Sequence, residues 1–120
     1  MPHIFVIDDE PDIRDLIADI LRDEQFQVTS ASCGKDALML LDSCMDNVPD
    51  AIILDVWMPD MDGIATLREL RRNGYSGPVL SLSGDQFFLN DQAPAFNGSL
   101  TKPMSKYEIV DAVSSHLSNP

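Results

Sequence analysis

Apolar residues in this chain fall into short unbroken runs, and the stretches between the runs carry apolar residues at helical spacing. Ala51-Ile52-Ile53-Leu54 is the densest run. Its lack of polar alternation predicts a strand covered on both faces, as in the middle of a parallel sheet. The run stops at Asp55, and Val56 to Gly63 reads as a turn-rich loop. His3-Ile4-Phe5-Val6-Ile7 predicts a second buried strand, ending in Asp8-Asp9-Glu10. Val28 to Ala31 predicts a short edge strand, Pro78 to Ser83 another strand, and Leu100-Thr101-Lys102-Pro103 the end of a last one.

Between the strands the period changes. Pro11 suits the first turn of a helix, where its missing N–H leaves nothing unpaired. Ile13, Leu16, Ile17, Ile20 and Leu21 then recur at helical spacing, with Arg14, Asp15, Asp19, Arg22 and Asp23 opposite, predicting a helix to about Glu24. Lys35 to Met45 predicts a second helix with Ala37, Leu38, Leu41 and Met45 inward, and Met39 and Met45 read as packing residues. Ile64, Leu67 and Leu70 mark a third, closed by Asn73-Gly74, with Arg68, Arg71 and Arg72 as a solvated face. The last helix, about Ser105 to His116, is predicted to bury Tyr107, Ile109, Val110, Val113 and Leu117. Gln86 to Asn97 carries no clear pattern. Strands alternating with helices through right-handed crossovers predict an α/β fold, a doubly wound parallel sheet covered on both faces.

That arrangement has a chemical consequence. If the first two runs are parallel neighbours, their carboxyl ends bring Asp8, Asp9 and Asp55 to one sheet edge, where open α/β sheets place their ligands. Carboxylates gathered there raise one another's pKa unless a cation lies among them. Oxygen ligands with dense negative charge suit a hard divalent ion such as Mg2+.

Asp8-Asp9, Asp55 followed by Met58-Pro59 and Gly63, Ser83 at a strand end and Lys102-Pro103 together resemble the receiver domain of two-component response regulators. The resemblance runs from about Ile4 to Leu117, in order and spacing. It implies a flavodoxin-like five-stranded sheet of order 2-1-3-4-5. It also implies that Asp55 accepts a phosphoryl group, that Asp9 and Asp55 ligate Mg2+ directly with Asp8 acting through water, and that the Trp57 carbonyl adds a ligand. Ser83 would donate its hydroxyl to a phosphoryl oxygen. Lys102 would pair with Asp55 at rest and with the phosphoryl group afterwards. Implied partners are a sensor histidine kinase or phosphotransfer protein and a downstream protein target that reads the surface of residues 83–102.

The chain departs from the family pattern in places. Gln25 stands where a helix-ending glycine is common, predicting a strained exit. Ser83 replaces a frequent Thr and lacks the methyl that limits rotation. Ser99 stands where receivers usually carry a switch aromatic, so a ring rotamer cannot carry the signal. The stretch between Ser83 and Lys102 is about three or four residues short of most receivers, roughly one helical turn. Asn90-Asp91 and Pro94 interrupt it, predicting a shortened or irregular fourth helix. An order–disorder switch over residues 85–97, with Phe87, Phe88 and Phe96 forming or hiding a partner surface, is the predicted output. The alternative is a fixed loop whose aromatics cover the sheet edge.

Two other functions compete. A phosphatase with a strand-end aspartate needs a second acid two residues later, and Trp57 stands there. A phosphorylation-independent receiver-like binding module is opposed by the intact Asp8, Asp9, Asp55 and Lys102 set. Composition narrows the setting. The length of 120 residues suits a single receiver domain over 1–120. Twenty acidic residues against 8 basic, a net charge of −12, argue against direct nucleic-acid binding, because phosphates would be repelled. Cys33 and Cys44 form no CxxC pair and have no histidine cluster beside them, which predicts reduced thiols. No apolar run approaches the ~18 residues of a membrane span, so a cytoplasmic protein without membrane contact is predicted.

Overall fold

The structure is a computed structural model that describes residues 1–43, 46–57, 62–84 and 96–117. Five parallel strands, β1 (His3–Ile7), β2 (Gln27–Ala31), β3 (Ala51–Asp55), β4 (Val79–Ser83) and β5 (Gly98–Thr101), form one sheet in the order β2-β1-β3-β4-β5. Four helices are described: α1 (Pro11–Asp23), α2 (Gly34–Ser43), α3 (Gly63–Arg72) and α4 (Lys106–His116). The predicted doubly wound, flavodoxin-like sheet is what the chain adopts.

Residue alternation along the central strands divides the core in two. Ile4, Val6, Ala51 and Ile53 face Ile17 and Leu21 of α1 and Ile109 and Val113 of α4. Phe5, Ile7, Ile52 and Leu54 face Ala37 of α2 and Leu67 and Leu70 of α3. All five residues of β1, β3 and β4 are buried, whereas β2 and β5 at the edges are only partly so. The apolar runs of β1 and β3 therefore coincide with strands buried on both faces, and β4 is as buried although Ser81 and Ser83 interrupt its apolar residues.

Two helices on opposite faces end in the same way. After α1, Gln25 N–H donates to Arg22 O and Phe26 N–H to Leu21 O, both at 3.0 Å. After α3, Gly74 N–H donates to Arg71 O at 3.1 Å and Tyr75 N–H to Leu70 O at 3.0 Å. Both are Schellman closures, sealed by Phe26 with Leu21 in one core and Tyr75 with Leu70 in the other. The pivot is left-handed in each, at φ 92° for Gly74 and φ 73° for Gln25. The strain predicted at Gln25 is thus present in the backbone.

Another glycine matters to the site. A Cβ on Gly63 would lie 2.6 Å from Val56 Cα and 2.7 Å from Asp55 O, so α3 starts directly against the backbone at the end of β3. Gly63 N–H donates to Val56 O at 2.8 Å, and Asp62 caps the helix by accepting from Ala65 N–H.

Several predicted placements are corrected. Leu16 is exposed, because at about 100° per residue it lies at the margin of the stripe centred on Ile17 and Leu21. Tyr107 is also exposed, about 200° around α4 from Ile109, with the Lys106 ammonium 5.4 Å from its ring centroid. Met39 points away from buried Ala37 by the same rotation and is exposed rather than packed. Arg71 does not belong to a solvated face. It donates to Tyr75 O (2.9 Å), Gly77 O (2.7 Å) and Asn97 Oδ1 (3.0 Å), the last of which also accepts from Val79 N–H. From the other side His116 Nε2 lies 2.9 Å from Asn97 O. The α2 placement of Met45, the Cys44 thiol and the irregular fourth helix lie outside the described residues, as does most of the 85–97 segment. Phe96 is described, half-buried against the α2–α3 core.

The paired closures generate a prediction. Gln25→Gly should raise stability and Gly74→Gln lower it, each by about 1 kcal/mol, since only the pivot's backbone freedom changes. Urea unfolding of the two variants measures both, and equal midpoints would remove the strain argument.

Candidate functional site

The site lies where the carboxyl ends of β1, β3 and β4 meet the start of β5's exit loop. Parallel register sets Ile7 beside Leu54 and Asp55 beside Leu82, so Asp8 follows β1 and Ser83 closes β4 one residue beyond the partner of Asp55. Asp55 is 3% exposed and Asp8 is fully buried. Carboxylate oxygens of Asp8, Asp9 and Asp55 all lie within 4.8 Å of one another. The three acids inferred from the strand ends are therefore together.

Lys102 supplies the counter-charge. Its Nζ is 2.9 Å from Glu10 Oε1, 3.3 Å from Asp8 Oδ2 and 3.8 Å from Asp55 Oδ2. The predicted pairing with Asp55 exists as the longest of three contacts. Its backbone is fixed by Lys102 N–H donating to Ser83 O at 2.6 Å, and the Lys102–Pro103 bond is cis. Burial pulls the Lys102 ammonium down, yet the Glu10 hydrogen bond and the charges of Asp8 and Asp55 outweigh it and hold its pKa above the ordinary value.

Glu10 is the site residue that sequence reasoning passed over. The available signal was a third consecutive acid after β1, which reads equally well as surface. Arg14 was likewise assigned to a solvated face but donates to Asp8 O at 2.9 Å, steadying the acid-bearing turn. Trp57 is 65% exposed, and its N–H donates to Asp55 Oδ1 at 3.1 Å. Met58 and Pro59 lie outside the described residues.

Electrostatically the acids are under-compensated. Burial pushes Asp55 up to about 7; the Trp57 N–H pulls the other way, and the charge of Asp8 adds to the rise. Asp8 Oδ1 accepts from Glu10 N–H at 2.9 Å, but buried Asp8 Oδ2 has no hydrogen-bond partner. Its contact with Lys102 is an ion pair outside hydrogen-bond geometry. An oxygen-only donor set with an orphaned buried oxygen fits a hard divalent cation.

The response regulator receiver domain family matches residues 4–114. The chain belongs to that family. It is 39% identical over 116 residues to the uncharacterized 14.6 kDa protein in the sodA1 3' region of Leptolyngbya boryana, covering 92% of this chain and 86% of that one. It is 30% identical to the transcriptional regulatory protein TrcR of Mycobacterium tuberculosis over 98% of this chain, which spans 48% of TrcR. Among solved structures, the Vibrio cholerae chemotaxis protein CheY4 superposes with a TM-score of 0.84 at 25% identity, covering 98% of this chain and 99% of that one. Receiver domains are signalling switches rather than enzymes in the ordinary sense, they generally bind Mg2+ at an acidic pocket, and those of response regulators interact with histidine kinases and downstream effectors. No helix among the described residues is long and apolar enough to cross a membrane.

The raised Asp55 pKa sets a pH dependence in metal-free buffer. Between its ordinary 3.8 and about 7, folded Asp55 holds a proton that the unfolded chain has released. Its stabilising contribution is full below about pH 4 and is lost as pH rises through 7. Asp55→Asn should flatten this slope and exceed the wild-type protein at pH 8 by on the order of 1–3 kcal/mol. Urea unfolding with chelator at pH 5 and pH 8 provides the check, and parallel pH profiles for the two proteins would contradict it.

Proposed function

We propose that residues 1–120 act as a single cytoplasmic receiver domain, a phosphoacceptor switch in which Asp55 takes a phosphoryl group from the phosphohistidine of a sensor histidine kinase or phosphotransfer protein. The observation that carries this reading is Asp55 itself, buried at the end of β3 between an acid cluster and the Lys102 ammonium. An Asp55 carboxylate oxygen attacks phosphorus as the bond to the donor breaks, and the donor leaves with the electron pair. No proton must move on Asp55 once it is ionised. Such a transfer asks mainly for alignment and neutralisation of charge on the phosphoryl oxygens.

The side chains divide that work. Asp8, Asp9 and Asp55, with the Trp57 carbonyl, would hold Mg2+, whose double charge offsets the gathered carboxylates. Lys102 exchanges a carboxylate for a phosphoryl oxygen, a task suited to a compact ammonium on a flexible stem. The Ser83 hydroxyl donates to another phosphoryl oxygen from the end of β4. The domain supports its own phosphorylation and dephosphorylation and presents the altered surface of residues 83–102 to a downstream protein. Nucleic acid and membrane are not direct partners on this reading.

Acetyl phosphate with Mg2+ should add one phosphoryl group, read by intact mass, and Asp55→Asn should abolish it. Undiminished labelling in the variant would move the acceptor elsewhere, whereas an unlabelled wild-type protein would favour a phosphorylation-independent binding module. The metal assignment has a separate readout in the single tryptophan. Trp57 fluorescence should respond to Mg2+ in a saturable way and lose the response in Asp9→Ala. A flat titration, with metal binding established by calorimetry, would remove Trp57 from the ligand set.

A further inference from the structure

Glu10 occupies the N-cap position of α1, with an extended backbone (φ −85°, ψ 111°). An N-cap side chain ordinarily turns its oxygen onto a free N–H of the first helical turn. Glu10 makes no such bond. Its carboxylate instead crosses the mouth of the site to Lys102, 92 residues away, at 2.9 Å. Its backbone is tied to the same site, because its N–H donates to Asp8 Oδ1 and its carbonyl accepts from Arg14 N–H.

Three carboxylates surround one ammonium that has three protons to give. The two inner ones, Asp8 and Asp55, are buried, and the nearest one, Glu10, has a side chain 59% exposed. Of the three contacts only that to Glu10 is a hydrogen bond, so it sets where the ammonium rests, and a phosphoryl oxygen on Asp55 has to draw the ammonium inward, away from one of its present partners. Releasing Asp8 would leave a buried charge short of its cation, which is costly. Releasing Glu10 returns an exposed carboxylate to water, at a cost in the range of surface ion pairs.

We propose that Glu10 is a positioning residue that holds Lys102 at the rim of the site at rest and must let go of it when Asp55 is phosphorylated. Glu10 is then a brake on phosphoryl uptake, acting through Lys102 and touching neither the phosphoryl group nor Asp55. This deepens the phosphoacceptor reading and rests on it.

A brake acting by contact differs from one acting by charge. Glu10→Asp keeps the charge but shortens the reach by roughly 1.5 Å, whereas Glu10→Gln removes the charge. The reaction to follow is transfer from acetyl phosphate, in which Asp55 oxygen bonds to phosphorus and acetate leaves with the electron pair. Initial rates by intact mass, at fixed ionic strength and saturating Mg2+, should rise roughly two- to fivefold in both variants. In a Lys102→Ala background, neither Glu10 substitution should change the residual rate. Without Mg2+ or phosphodonor, the Lys102 ammonium NMR signal should shift in Glu10→Asp as it does in Glu10→Gln, a response that a merely structural role for Glu10 would not produce. A wild-type rate in Glu10→Asp, an unmoved ammonium signal, or an effect that survives loss of Lys102 would each overturn the brake. Absence of labelling in the wild-type protein would overturn the phosphoacceptor reading and the brake with it, whereas a labelled wild-type protein with an unchanged Glu10→Asp rate overturns the brake alone.

Discussion

Like charges drawn together at the edge of a buried sheet are the constraint on which this structure turns. Parallel pairing of β1 with β3 sets two fully buried strands side by side, and the same register delivers Asp8, Asp9 and Asp55 to one point. Folding therefore assembles a repulsive cluster that, among the described residues, is offset by the Lys102 ammonium and by N–H donors such as those of Glu10 and Trp57. A site made only to stabilise the fold would use fewer acids or more cations. The deficit of positive charge is a property of the resting protein and makes the site receptive to cations.

Legibility in the sequence followed the number of faces a segment buries. β1 and β3 are covered on both sides, so their apolar runs could hardly be read otherwise, and the site acids came with them as the residues at the ends of those runs. Helices bury one stripe, and errors collected off it: Leu16 at its margin and Tyr107 on the far side are apolar enough to suggest burial, yet rotation about the helix axis decides it. Arg71 was misread for the opposite reason. A cation on a helix face says nothing of the three oxygens that distant parts of the chain bring to it. Glu10 belongs to the same class, because its partner is 92 residues away and no local pattern encodes that meeting.

Asn97 shows how such non-local contacts fasten an edge. Its side-chain oxygen accepts from Arg71 of α3 and from Val79 N–H, while its carbonyl lies against His116 at the end of α4. The entry to β5 is thus secured from both layers of the fold, although the strand itself is short and partly exposed. Polar anchoring by Asn97 ties this edge to the two helical layers beside the packing of Phe96 and Leu100.

Backbone contact without a cushioning side chain at Gly63 has a mechanical meaning. Side-chain packing can absorb a small displacement by rotamer adjustment, but the start of α3 touches the Asp55 carbonyl and Val56 Cα through main-chain atoms alone. Such a joint transmits rather than damps. The helix carrying Arg71 is thus joined through the main chain to the end of β3 at its start and through Arg71 to Asn97 near its end.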